Sequence, residues 1–240
     1  MYDWLKKALT EDEAQVVTAN RRLARTLAIA YGERQVDSGV LAWRSPLIFA
    51  WRDWQSALLD SVDVNDTLPA RINDYQARVL WERCLKDVID DPFLNYANLA
   101  RQCRDTWQRL HEWRVPLAEV ERAARGPDQG IFVRAASQYE EHLQSMQWTD
   151  NATLPNLLIQ FAQQGLLDAP RQVTLAGFDR LSPQVVQLCD ALKSQGTIIV
   201  RQQAAQPGAA ELRRYESPDA ELRAAGAWAR AQLREDSTQK

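Results

Sequence analysis

The sequence predicts a mostly helical α/β fold, in which a parallel sheet is interrupted by an all-helical insertion. Short β-branched or apolar runs lie at 16–18, 172–176 and 197–200, near the two ends of the chain. A helix pattern follows the first run and another separates the last two, which is typical of the strand–helix units of parallel sheets. Between these groups, from about 72 to 161, apolar residues recur three or four positions apart, the period of helices.

The first group of elements precedes a polar, proline-containing turn at 62–70. It consists of a short amphipathic helix at 2–9, a strand at 16–18, a helix at 21–31, an extended run at 40–49 that is broken by Pro46, and a helix at 51–59.

After that turn the pattern predicts a bundle of helices without a strand of its own. The last group then has a strand at 172–176, a helix at 183–193 and a strand at 197–200. Ser217 before Pro218 and Asp219 is a typical helix start, with a Ser cap, Pro at the first position and an early acid. The predicted division is a two-segment α/β domain, 1–66 and 170–240, with a helical insertion at 67–169.

Composition excludes several classes of protein. The formal net charge is −3, so no global basic field indicates a nucleic-acid partner. Three cysteines without paired spacing and two histidines predict no metal site. Unpaired thiols suit a reducing compartment, and neither a signal peptide nor a membrane-spanning run is found. We therefore expect a cytoplasmic protein with no membrane contact and no cofactor.

The turn after the first strand is the best candidate binding site. Asn20, Arg21 and Arg22 open the following helix, and Arg25 lies one turn further along. A helix N-terminus offers backbone N–H groups and a positive dipole end, and guanidinium groups bind phosphates in bidentate fashion. The alternative is that these arginines are solvated or pair with the acids at 11–13.

Tryptophan is the second unusual feature, with nine residues in the chain. Trp43, Trp51 and Trp54 follow the turn in sequence and could stack on bases. Packing in the core or at a protein interface is the competing interpretation.

Four stretches carry a resemblance to a known family. Residues 16–25 (VVTANRRLAR) resemble a strand-to-helix turn of AddB-type proteins, which are inactivated superfamily-1 helicase-like subunits of bacterial DNA repair. In active helicases that turn is motif Ia, which holds single-stranded DNA. The other three stretches are 43–54, 139–158 and 175–183.

The resemblance implies a RecA-like, P-loop NTPase-like sheet domain with a helical insertion. It also implies binding of single-stranded DNA at the turn, with Thr18, Asn20, Arg21, Arg22, Arg25, Trp43 and Trp54 as candidate contacts. The implied partners are a helicase or nuclease subunit, or a PD-(D/E)xK nuclease domain that would lie beyond Lys240 in a longer chain.

The departures from active helicases concern ATP. No GxxxxGK[ST] loop occurs anywhere in the sequence. At the position of the acidic Walker B motif stand Gly177, Phe178 and Asp179, and one carboxylate cannot both hold Mg²⁺ and orient water. We therefore predict no catalytic residues and no ATPase activity in this chain. The alternative function is a protein-interaction domain that does not bind DNA, which the acidic net charge and the many tryptophans favour.

Overall fold

The computed structural model describes residues 3–9, 14–62, 68–202 and 212–238. It is a mixed α/β fold, which confirms the fold class at this level. The chain forms two compact units, 1–203 and 204–240, and each is described by itself. The elements are α1 (Asp3–Ala8), β1 (Ala14–Thr18), α2 (Arg21–Asp37), β2 (Ile48–Ala50), α3 (Trp51–Asp60), β3 (Ala70–Arg71), α4 (Asp74–Val88), α5 (Tyr96–Trp113), α6 (Leu117–Ala123), α7 (Pro127–Ser145), β4 (Trp148–Thr149), α8 (Leu154–Gln163), β5 (Gln172–Ala176), α9 (Pro183–Ser194), β6 (Ile198–Arg201) and α10 (Pro218–Thr238).

The main sheet has four parallel strands in the order β2-β1-β5-β6. Thr18 is paired with Ala50 on one side and with Ala176 on the other, so all three strands end at the same edge. The predicted strands near residues 16 and 173 are therefore neighbours in one parallel sheet. The chain between β2 and β5 supplies most of the helices, which explains how a four-stranded sheet belongs to a mostly helical protein.

The two faces of this sheet are covered by different helices. Val17 and Leu175 point to a large apolar cluster that α3, α8 and α9 complete. On the other face, Val16 and Ala176 meet side chains of α1 and α2, including Leu5. Alternation of side chains along a strand explains why adjacent valines face opposite layers.

The helices between β3 and β4 enclose a core of their own. Trp81, on α4, stacks on Tyr139 of α7, with ring centroids 4.3 Å apart. Trp107, on α5, meets the same two rings edge-on, at 6.2 Å from Trp81 and 5.8 Å from Tyr139. All three side chains are fully buried or nearly so. Aromatic burial at helical spacing therefore organises this part of the chain.

Two features differ from the sequence prediction. The helical region contains a two-stranded parallel sheet, β3 with β4, where no strand was predicted. Two residues per strand are too few to give a period, and the pairing depends on Ala70 meeting Trp148 across the fold. In addition, α8, which the prediction placed in the insertion, buries its apolar face in the cluster under the sheet. The predicted boundary at 66 and 67 lies outside the described residues, and the division into domains stays a prediction.

The second unit contains α10. The Ser217 hydroxyl accepts a hydrogen bond from the Ala220 N–H (3.2 Å), so the helix begins where the sequence predicted. Leu222 and Leu233 of the predicted apolar stripe are each more than two-thirds exposed within the structure described. None of the described helices is long and apolar enough to cross a membrane.

Candidate functional site

A cleft of about 790 Å³ opens where β1 and β2 end. We call it the strand-end cleft. It lies between the sheet edge and the first turns of α4, with the C-terminal half of α5 on the far wall. Its lining residues are Ala19, Asn20, Arg21, Ala50, Trp51, Arg52, Gln55, Arg71, Asn73, Asp74, Gln108, Glu112 and Asn151.

Three helices begin at this cleft. Asn20 caps α2 by accepting a hydrogen bond from the Leu23 N–H (2.9 Å). Asn73 caps α4 in the same way and forms a full capping box with Gln76. The residue before α3, Ala50, has no side chain that could cap it. The cleft therefore collects three positive helix ends, one of which keeps its N–H groups without a side-chain acceptor.

Arg21 does not point freely into solvent. Its guanidinium forms a bidentate pair with Asp53 of α3, through Nη2 to Oδ1 (2.6 Å) and Nε to Oδ2 (3.1 Å). The Asp53 hydrogen bond and charge raise the pKa of Arg21. The acids at 11–13, which the sequence suggested as possible partners, lie outside the described residues. The pair ties the start of α2 to the start of α3.

Arg22 and Arg25 remain available. Both are exposed, and within the described part of the chain neither forms an ion pair. They lie on the first two turns of α2, directly after Asn20 and Arg21, which line the cleft. Of the arginines predicted at this turn, these two can contact a ligand without first breaking a salt bridge.

Four side chains form a hydrogen-bonded chain across the floor of the cleft. Arg52 donates to Asp74 (3.1 Å), Asn151 donates to the other oxygen of Asp74 (2.7 Å), and Arg71 donates to Asn151 (2.7 Å). Burial raises the pKa of Asp74, but the Asn151 hydrogen bond and the charges of Arg52 and Arg104 outweigh it and hold the pKa below its usual value. Asp74 is therefore ionised at neutral pH and holds Arg52 in place.

The hydroxyl of Thr18, a predicted contact, is buried rather than presented to a ligand. Its side chain is fully buried, and Oγ1 lies 2.9 Å from the carbonyl oxygen of Asn20 and 3.2 Å from that of Phe49. Thr18 therefore fixes the shape of the turn and joins it to β2.

The predicted tryptophan contacts need correction. Trp54 is fully buried in the cluster under the sheet, and its Nε1 donates to Gln15 (2.7 Å), so neither ring face is accessible to a base. Trp43 is 40% exposed but lies beside Gly32, about 16 Å along α2 from Arg21 at 1.5 Å per residue. Trp51, half-buried against Phe178, is the tryptophan that lines the cleft.

The stretch Gly177, Phe178 and Asp179, which was compared with a Walker B motif in the sequence, follows the end of β5. In open parallel sheets, ligands bind beyond the strand ends at the point where the strand order reverses, which here is between β1 and β5. That crevice is closed. The Ala19 N–H donates to the Ala176 carbonyl (3.1 Å), and Leu23 lies so close to Gly177 that a Cβ there would be 2.5 Å from its Cδ2.

The loop after Gly177 is held by an arginine of β6. Arg201 donates to the carbonyl oxygens of Phe178 (3.0 Å) and Asp179 (2.8 Å). Gly177 itself has φ +74°, a conformation that favours glycine. The turn is therefore tight, and its backbone oxygens are held by Arg201. The residues at this position have a structural role.

Sequence reasoning missed most of the cleft residues that come from the helical region. Arg71, Asn73, Asp74 and Asn151 are distant in sequence from the turn at Asn20 and carry no motif. The only sequence signal was the Asn73 and Gln76 pair, which has the spacing of a capping box.

The remaining reactive groups do not form a second site. No group of three or more His, Cys, Asp or Glu among the described residues could hold a metal ion. Burial raises the pKa of the thiols of Cys84, Cys103 and Cys189 to about 11, so they stay protonated at neutral pH.

Fold and site together define an α/β protein with a polar cleft at the carboxyl edge of a parallel sheet. A scan of protein-family models finds no match for this chain. A search of curated proteins likewise finds no relative.

Proposed function

We infer that this chain is an ATPase-inactive, RecA-like helicase module of AddB type that binds single-stranded DNA at the mouth of the strand-end cleft. The observation that carries the inference is the exposed pair Arg22 and Arg25 at the start of α2. They lie on the first two turns of α2, whose start lines the cleft together with the starts of α3 and α4. Guanidinium groups and helix N-termini both favour phosphate oxygens.

The pairing of β1 with β5 supports the helicase-like part of the proposal. The stretch that resembles motif Ia follows β1, and the stretch at the Walker B position follows β5. Because Thr18 is in register with Ala176, the two stretches end side by side at one sheet edge.

DNA binding can be tested with dye-labelled oligo(dT), by anisotropy at several salt concentrations. We expect binding that weakens steeply between about 50 and 200 mM salt, because bound cations are released from the strand. The double variant Arg22→Ala with Arg25→Ala should lower the slope of log K against log salt by about 0.7 for each lost phosphate contact.

The matched control removes two exposed arginines outside the cleft, Arg122→Ala with Arg134→Ala. It has the same change in net charge and should bind like the parent. Equal losses in both double variants would show a general charge effect and contradict a site at the turn. No binding at low salt would contradict the DNA proposal altogether.

A second candidate function, a protein-interaction domain, is favoured by a different surface. The end of α2 and the segment before β2 expose several large apolar side chains, which is unusual for a surface that has no partner. They are Val36 (63% exposed), Val40 (38%), Leu41 (98%), Trp43 (40%) and Leu47 (41%). A chain that fails to bind oligo(dT) at low salt would favour this function.

A further inference from the structure

Gln55 is a buried polar side chain that lacks a protein partner. It lies on α3, is 1% exposed, and lines the strand-end cleft. Its carboxamide forms no hydrogen bond with any of the residues that the structure describes, and its oxygen and nitrogen are not among the polar atoms sealed from solvent. Gln184 shows the usual situation: it is 2% exposed and donates to Ala152 and to Asn156. Because the amide of a nearly buried side chain still needs hydrogen-bond partners, those of Gln55 are expected to come from the cleft that it lines.

The carboxamide lies beside the uncapped end of α3. Side chains on a helix lean toward its N-terminus, so Gln55 extends back over the first turn, where Trp51 and Arg52 also line the cleft. Ala50 provides no cap there. The only acid in that turn, Asp53, is engaged by Arg21. The N–H groups and the Gln55 amide thus face one space.

Two guanidinium groups, those of Arg52 and Arg71, line the same cleft. Arg52 is fixed by Asp74, and Arg71 is fixed by Asn151 and by the hydroxyl of Ser56. Each keeps further N–H donors beyond these bonds, since a guanidinium has five.

The cleft also contains two carboxylates, which would oppose an anion. Asp74 is bound by Arg52 and Asn151. Glu112 receives a hydrogen bond from Gln108 (3.1 Å). Of the three lining arginines, Arg21 is paired with Asp53 and Arg52 with Asp74, whereas among the described residues Arg71 is bound by neutral groups alone. The guanidinium of Arg71, without a carboxylate partner there, favours a single compact anion over a cation as the ligand.

We propose that the strand-end cleft binds one phosphate group, held by the first turn of α3, the Gln55 carboxamide and the guanidiniums of Arg52 and Arg71. When a nucleic-acid strand supplies the phosphate, a case that rests on the proposed function, the bound group is one phosphodiester of that strand. The neighbouring phosphodiesters of the strand then contact Arg22 and Arg25. Free phosphate offers the same chemistry, and the two sources are separated below.

The first arm uses inorganic phosphate and thermal unfolding at constant ionic strength. Phosphate should raise the Tm of the parent relative to chloride, because a ligand of the folded state stabilises it. Gln55→Leu should abolish this rise. The control is Gln187→Leu, since Gln187 has a buried, unpaired carboxamide oxygen but lies outside the cleft. A rise that persists in Gln55→Leu, or that is absent in the parent, overturns the phosphate site.

The second arm uses oligo(dT) and anisotropy. Gln55→Leu should weaken binding about tenfold, the effect of losing a hydrogen bond to a charged group, without changing the salt slope, because the amide is neutral. Arg52→Ala, at an exposed side chain that does not threaten folding, should lower the slope by about 0.7.

The outcomes separate this proposal from the one on which it rests. If oligo(dT) binds but neither Gln55→Leu nor Arg52→Ala affects it, the phosphate site is wrong and DNA binding stands. If oligo(dT) does not bind but phosphate still stabilises the parent and not Gln55→Leu, the site is supported for a free phosphate and DNA binding falls.

Discussion

At the scale of single residues, His111 shows how burial affects the protonation of a side chain. Its ring lies edge-on against Trp107, with centroids 4.2 Å apart, and its Nδ1 is 3.0 Å from Nδ2 of Asn156. When that amide donates, the ring keeps its proton on Nε2 and is neutral. Burial lowers the pKa of His111, although the charge of Asp150 opposes the shift.

This shift predicts a pH dependence of stability. With its folded pKa below the unfolded value of about 6.5, His111 takes up its proton more readily in the unfolded chain. The contribution of neutral His111 to the free energy of unfolding is complete above about pH 6.5, and it is lost as the pH falls through that value toward the folded pKa. We expect the free energy of unfolding of the parent to fall more than that of His111→Gln between pH 7.5 and 5.5. Chemical denaturation at both pH values measures this difference, and parallel losses would contradict the prediction.

At the scale of elements, the cap at the start of α4 both stabilises that helix and positions a residue of the strand-end cleft. The Asn73 side chain accepts hydrogen bonds from the N–H groups of Tyr75 (3.0 Å) and Gln76 (2.9 Å), and the Asn73 N–H donates to Oε1 of Gln76 (2.8 Å). The cap fixes the first turn of α4, from which Asp74 reaches Arg52. A local sequence motif thereby places a residue that contacts a distant helix.

Removing this cap should destabilise the folded chain. We expect Asn73→Ala to lower the free energy of unfolding by about 1 kcal/mol, because two N–H groups lose their acceptor. Asn73→Ser keeps a capping oxygen and should be close to the parent. Denaturant unfolding of the three proteins tests this, and a loss as large in Asn73→Ser as in Asn73→Ala would show that capping is not the cause.

The sequence predicted elements to the extent that they are long and periodic. The helix at Trp51 and the strand at Val16 were predicted almost at their observed positions, because burial of one face imposes a period on each. The helix at Arg21 was predicted too short: its last turns bury few side chains, and the period fades there. The strand pair β3 and β4 was missed because its stability comes from pairing across the fold.

At the scale of the whole molecule, the space where a nucleotide would be expected is occupied by the protein itself. Leu23 lies over Gly177, and the Ala19 N–H closes the crevice between β1 and β5. The open cleft lies one strand away, beyond β1 and β2.

This arrangement predicts that ATP does not stabilise the chain. We expect millimolar ATP with Mg²⁺ to leave the Tm unchanged relative to the same concentration of MgCl₂, whereas oligo(dT) raises it, since only a ligand of the folded state shifts unfolding. A nucleotide-dependent rise in Tm that disappears in Asp179→Ala would contradict the prediction and restore a nucleotide site at the end of β5.

The sequence by itself determined the parallel strand–helix framework and the arginine-rich turn after β1, because periodicity and helix-start chemistry are local. Tertiary structure alone decided which arginines are available: Arg21 pairs with Asp53, while Arg22 and Arg25 form no ion pair with the residues that the structure describes. It also placed Trp54 in the core and brought Gln55, Arg71 and Asn151 to one cleft. Availability and proximity depend on contacts between residues far apart in the chain, and no local pattern encodes them.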